Sequence, residues 1–152
     1  MGFFDGYNVA TSGMSAQRTR INVVSANIAN AKTTHTQEGG PYKKQQVVFE
    51  EVLLNQTQKT NNNDIETNNK NSLTELRAVG VKSVLSSNSE PVLRFEPTHP
   101  DSNEEGYVAY PNINPVVEMV DLIEAMRSYE SNVAAFTTHK NIDSKTLDIL
   151  KV

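Results

Sequence analysis

Both ends of the chain carry apolar side chains at alternating intervals of three and four residues. Near the N-terminus this pattern runs from Tyr7 to Ile28. The surrounding residues 1–34 contain one acid before Glu38, which is Asp5. Such spacing keeps side chains on one side of an α-helix, as in the heptad repeat of coiled coils. It predicts an amphipathic helix of about 24 residues, roughly 36 Å long. The stripe consists of Tyr7, Ala10, Met14, Gln17, Ile21, Val24 and Ile28, all apolar except Gln17.

The C-terminal region repeats the pattern over a longer span, and residues 116–152 contain no proline or glycine. Asn114 followed by Pro115 is a start signal, because asparagine can cap a first turn and proline already has helical φ. The predicted helix covers about 35 residues, or roughly 52 Å. Its stripe consists of Met119, Leu122, Met126, Tyr129, Val133, Phe136, Lys140, Asp143, Leu147 and Leu150, and the apolar pattern breaks only at Lys140 and Asp143.

Each predicted helix needs a packing partner, because most helical stability in proteins comes from burying an apolar face. The chain has few other apolar side chains to offer, since these make up 37% of its 152 residues. Two arrangements remain open. The stripes pair as an antiparallel hairpin within one chain, or neighbouring subunits share them as a seam. The length mismatch favours the second arrangement, because the longer helix overhangs the shorter by roughly three turns.

The middle of the chain has the composition of short β-strands. β-Branched and aromatic residues between Gly- and Pro-containing turns predict strands at 44–54, 80–85, 92–95 and 107–110. Residues 55–72 contain seven asparagines and a single apolar residue, Ile65, which is typical of a loop. We therefore predict an α+β fold with long terminal helices in a coiled-coil-like pair. Its parts are the helix and turn at 1–34, a β-rich module at 35–114 and the helix at 115–152.

Composition argues against several classes of function. The chain has no cysteine, which excludes disulfides, thiolate metal sites and a cysteine nucleophile. A net charge of −4 without a basic patch argues against nucleic-acid binding, and no apolar run approaches the length of a membrane helix. The most ligand-like group is His99, Asp101 and Glu104, and a metal-dependent hydrolase built on it is one alternative. A polar turn whose acidic side chains face water explains these residues more simply, so we expect no cofactor, no resident metal and no enzyme.

Several short motifs resemble those of a known family. Asn27-Ile28-Ala29-Asn30 resembles the N-terminal signature of bacterial flagellar rod and hook proteins. Segments at 39–45, 97–101, 105–112, 118–121 and 127–132 make the chain similar to the proximal rod members of FlgC type. Thr98 departs from the pattern, since such chains usually have glycine there, and residues 55–72 match no family motif. The motif residues are Asn27, Asn30, Gly39, Gly40, Pro41, Tyr42, His99, Pro100, Asp101, Gly106, Tyr107, Pro111 and Asn112.

The resemblance implies a structural subunit that polymerises through its terminal helices into a torque-transmitting shaft. The apolar stripe residues would then form a seam between subunits. Implied partners are other copies of the chain, other flagellar rod proteins, the membrane-embedded basal-body ring and the flagellar type III export apparatus. The implied location is the periplasmic rod of the basal body, reached through the type III channel, with no nucleic acid bound and no direct membrane insertion. A secreted coiled-coil adaptor or effector of a type III system is the remaining alternative.

Overall fold

A computed structural model describes residues 4–54 and 76–150. Helix α1 spans Asp5–Ala29 and helix α2 spans Pro115–Leu150. Between them lie four strands: β1 at Gln45–Leu53, β2 at Arg77–Ser86, β3 at Val92–Phe95 and β4 at Tyr107–Tyr110. The predicted α+β fold with two long terminal helices is confirmed. The predicted loop at 55–72 lies outside the described residues.

The two helices pack antiparallel against each other. Tyr7, in the first turn of α1, lies edge-on to Phe136 and donates a hydrogen bond to Asp143. At the other end of α1, Asn27 contacts Glu118 in the first turn of α2. Midway, a Cβ atom added to Gly13 would lie 2.9 Å from the Asn132 amide. The helices of one chain therefore pair as a hairpin, and glycine in α1 allows their close approach.

Helix α1 is the central element of the fold. Strands β1 and β2 form an antiparallel ribbon that contacts α1, whereas among the described elements α2 contacts α1 alone. Helix α1 buries more residues than α2, which buries only Glu118 and Ala125 among its described residues. The buried residues of α1 are Ala10, Ala16, Val23, Val24 and Asn27. The core therefore surrounds α1, and α2 keeps most of its surface exposed.

Each pair of strands forms its own small sheet. In the β1–β2 ribbon Val47 lies opposite Val84, and a bulge between Val48 and Phe49 leaves Lys82 without a partner residue on β1. Strand β2 starts three residues before its predicted start at Gly80. Strands β3 and β4 have their predicted bounds and form a hairpin that contacts none of the other described helices or strands. This hairpin is therefore positioned by its loops.

Within the described ranges, neither helix is long and apolar enough to span a membrane.

Candidate functional site

The predicted stripe of α1 lies against the rest of the chain. Ala10 and Val24 are buried, and the other apolar members, Tyr7, Met14, Ile21 and Ile28, are half-buried. The hydrogen bond to Asp143 raises the pKa of the Tyr7 phenol above its ordinary value, with smaller contributions from desolvation and the Asp143 charge. Tyr7 therefore remains a protonated donor that ties α1 to the far part of α2.

The predicted stripe of α2 divides between two sides of the helix. Members seven residues apart share a side. Leu122, Tyr129 and Phe136 are half-buried, as is Asp143. The alternate set is exposed and consists of Met119, Met126, Val133 and Leu147, and Leu150 at the end of the helix is exposed as well. The hairpin thus uses only part of the predicted seam.

The exposed members continue into a larger apolar surface along the first half of α2. We define the outer stripe as Val116, Met119, Val120, Ile123, Met126 and Val133, which are 38–69% exposed. Groups of exposed apolar side chains on one side of a helix mark sites of protein–protein interaction more often than single exposed residues do. The outer stripe is therefore the candidate interface.

The Asn-x-x-Asn motif forms a junction at the opposite end of α1. The Asn27 side chain is 1% exposed, and its amide nitrogen donates to the Gln45 carbonyl at 2.9 Å and to Glu118 Oε2 at 3.0 Å. Its Oδ1 accepts hydrogen bonds from the Gln45 amide and the Tyr42 hydroxyl. Both amide donors and both acceptor positions are used. Asn27 therefore joins α1, α2 and β1 through one side chain.

An ion pair with a buried carboxylate and a half-buried lysine lies beside this asparagine. Lys44 Nζ is 2.6 Å from Glu118 Oε1, and Glu118 is 1% exposed. Glu118 also lies in the first turn of α2, where the helix dipole favours a negative charge. Desolvation first, and then the Glu118 charge, raise the pKa of the Tyr42 phenol, which keeps its hydroxyl protonated as a donor to Asn27.

The remaining N-terminal motif residues shape the turn that follows α1. Asn30 caps the helix, since its amide donates to the Ala26 carbonyl at 2.9 Å. Gly39 and Gly40 both have positive φ, at 86° and 75°, a region that glycine enters without steric cost. Together they reverse the chain so that Pro41 and Tyr42 lead it back to Asn27.

The C-terminal motif residues close the β3–β4 hairpin. Asp101 accepts a hydrogen bond from Thr34 at 2.7 Å, and its backbone amide donates to His99 Nδ1. Tyr107 stacks edge-on with Phe95. Pro111 is buried where β4 leads toward α2, whereas Pro100 and Asn112 are exposed. Thr98 is also exposed, in the same turn.

The arrangement does not support the metal-site alternative. His99 Nδ1 is occupied by the backbone amide of Asp101, and Glu104 is exposed at the hairpin tip. Residues 4–54 and 76–150 contain no group of three or more His, Cys, Asp or Glu that could hold a metal ion.

Two family models match the ends of the chain. The model described as "Flagella basal body rod protein" matches residues 8–34, and that described as "Flagellar basal body rod FlgEFG protein C-terminal" matches residues 104–149. These ranges contain Asn27, Glu118 and the outer stripe. They leave open which member of the rod family the chain resembles over its whole length.

Full-length relatives decide the family. A flagellar basal-body rod protein FlgC of Borreliella burgdorferi is 39% identical over 99% of both chains. FlgC of Bacillus subtilis is 36% identical, over 97% of this chain and 98% of the relative, and FlgC of Salmonella typhimurium is 34% identical over 98% of both. The chain belongs to the FlgC family of flagellar basal-body rod proteins.

Two features of this FlgC-family chain escaped the sequence analysis. Ala16 and Val23 lie off the predicted stripe yet are buried, because α1 is covered by both α2 and the ribbon. Two adjacent apolar faces on one helix would have been the signal. The second feature is the pairing of Glu118 with Lys44, which no local sequence pattern marks.

The β3–β4 hairpin of this FlgC-family chain requires glycine at position 106, and a substitution can test this requirement. Its φ is 82°, and a Cβ atom there would lie 2.9 Å from Phe95 Cε2. We expect Gly106→Ala to lower the free energy of unfolding by more than the roughly 1–2 kcal/mol that positive φ alone costs. Gly39→Ala is the matched control, because Gly39 has a similar φ of 86° and nothing within 4 Å of the added atom. Equal losses in urea unfolding would contradict the proposed contact with Phe95.

Proposed function

We propose that the chain is a structural subunit of the flagellar basal-body rod that assembles through its terminal helices. The outer stripe of α2 is the contact with neighbouring subunits. The observation that carries this proposal is the state of α2, which pairs with α1 on one side and leaves apolar side chains exposed along another. Packing against a neighbour would bury this surface, as the apolar pattern of the helix requires.

The structure of the hairpin supports an open-ended assembly. The exposed side of α1 is polar and consists of Asn8, Thr11, Ser15, Arg18, Asn22 and Ser25. The outer stripe of α2 is apolar, so the two sides of the hairpin differ in chemistry. Contacts between unlike surfaces repeat from copy to copy, and they build a filament when the rotation does not close. Long helices held in such an array would give the stiffness that torque transmission needs.

The proposed partners follow from membership in this family. They are further copies of the chain, other flagellar rod proteins, the membrane-embedded basal-body ring and the type III export apparatus that delivers the subunit to the periplasmic rod. The relatives are named as rod proteins, and we propose that this chain likewise has no catalytic activity. Nothing in its proposed role requires a cofactor.

Deletion of the gene tests the proposed function. We expect cells with an in-frame deletion to be non-motile and to lack the rod, hook and filament when imaged by electron cryotomography. A plasmid copy should restore all three. A complete flagellum in the deletion strain would contradict the proposal and would favour a secreted adaptor or effector instead.

A further inference from the structure

We propose that Glu118 is a positioning residue that fixes the start of α2 relative to the β1–β2 ribbon. This inference rests on the proposed function, because it concerns how the outer stripe of α2 is presented during rod assembly. It explains why the Glu118 carboxylate is buried, although the pairing of the two helices does not require a charge there.

The contacts of Glu118 place it between three parts of the chain. Its Oε1 pairs with Lys44 at 2.6 Å, and its Oε2 accepts from Asn27 at 3.0 Å. Lys44 comes directly before β1, and Asn27 holds the backbone of Gln45, the first residue of that strand. Glu118 therefore links α2 both to the end of α1 and to the beginning of the ribbon.

This link matters because α2 otherwise has no described contact with the ribbon. Among the described elements, β1 and β2 contact each other and α1, and α2 contacts α1 alone. The Lys44–Glu118 pair thus connects α2 directly to the start of the ribbon, in addition to the α1–α2 and α1–ribbon contacts. Without it, the position of α2 relative to the ribbon would depend on the contacts that each makes with α1.

The chemistry of the pair favours a role in orientation over one in stability. A buried ion pair often contributes no more stability than well-packed apolar side chains of similar volume, because desolvation of the charges offsets their attraction. Its geometry is specific, however, since an unpaired charge in the wrong position is strongly unfavourable. The ion pairs between the helices, from Arg20 to Asp121 at 3.7 Å and to Glu124 at 3.8 Å, are longer, and their carboxylates are more exposed than that of Glu118.

Pulsed EPR on the full-length subunit tests the proposal. The chain has no cysteine, so spin labels can be placed at Gln46→Cys on β1 and Ser131→Cys on α2, both of which are exposed. The test variant is Lys44→Met with Glu118→Met, which replaces both charges by apolar side chains of similar length and also removes the Glu118 acceptor of Asn27. Arg20→Met is the control, because it removes the longer ion pairs to Asp121 and Glu124 and leaves the Lys44–Glu118 pair intact.

We expect the double variant to retain helix content by circular dichroism and to broaden the label-to-label distance distribution at least twofold. It should also reduce swimming, whereas Arg20→Met should keep the narrow distribution. A narrow, unshifted distribution in the double variant would overturn the inference. If the double variant does not fold, Glu118→Gln, which retains an acceptor for Asn27, gives the same comparison. The distance is measured on the free subunit, so this result is independent of whether gene deletion removes the rod.

Discussion

Replacing Met126 by aspartate is expected to abolish rod assembly and swimming while leaving the subunit folded. Met126 lies in the middle of the outer stripe and is 45% exposed, so a carboxylate there remains hydrated in the free subunit. In the rod the same carboxylate would be buried against a neighbour without a partner, which costs several kcal/mol at each contact. Because every copy carries the change, the cost recurs at each step of assembly.

The measurement combines swimming in soft agar, rod content of purified basal bodies and circular dichroism of the isolated subunit. Met126→Leu is the matched control, since it preserves the apolar surface and should swim normally. Val133→Asp should reproduce the defect from a second position in the stripe. Normal swimming with wild-type rod content in Met126→Asp cells would refute the assignment of the outer stripe.

Among the proposed substitutions, Asn27→Asp is expected to lower the free energy of unfolding the most. The substitution preserves shape but removes both donors of the amide, which bond the Gln45 carbonyl and Glu118. It also places a second carboxylate beside Glu118 in a buried site. An uncompensated buried charge costs about 3–5 kcal/mol, which corresponds to a decrease in Tm of roughly 10 °C or more for a chain of this size.

Thermal unfolding followed by circular dichroism measures this loss. Asn22→Asp is the control, because Asn22 lies on the same helix and is exposed. It should change Tm by no more than about 2 °C, consistent with the small effect of most surface substitutions. Similar Tm values for the two variants would show that the Asn27 contacts contribute little to the fold.

The elements of the fold were predictable because their signals are local. The stripe from Tyr7 to Ile28 and the Asn114-Pro115 start signal define the two helices, and the structure shows the Asn114 side chain accepting from the Val116 amide at 3.0 Å. Turn residues bound the short strands in the same way. Periodicity also established that the helices need partners, although it left both arrangements of the stripes open.

The same local signals could not predict which side of α2 packs within the chain and which side stays exposed. An apolar stripe with a repeat of seven has two sets of members, and the sequence does not tell which set packs within the chain. In α2, Leu122 and Phe136 are half-buried in the pairing with α1 and Met126 is exposed, and at the start of the helix Glu118 contacts Lys44. That contact depends on Lys44, which is remote in sequence, so no local pattern reports it.

The most direct test of the outer stripe as the interface between subunits is the accessibility of a cysteine at Met126 before and after assembly. In a strain carrying Met126→Cys, the introduced thiol is the sole cysteine of the subunit. We expect a maleimide reagent to label the free subunit rapidly and to label the same residue in purified basal bodies at least tenfold more slowly, with full labelling restored after denaturation. Equal labelling rates in the free subunit and the intact rod would contradict the assignment.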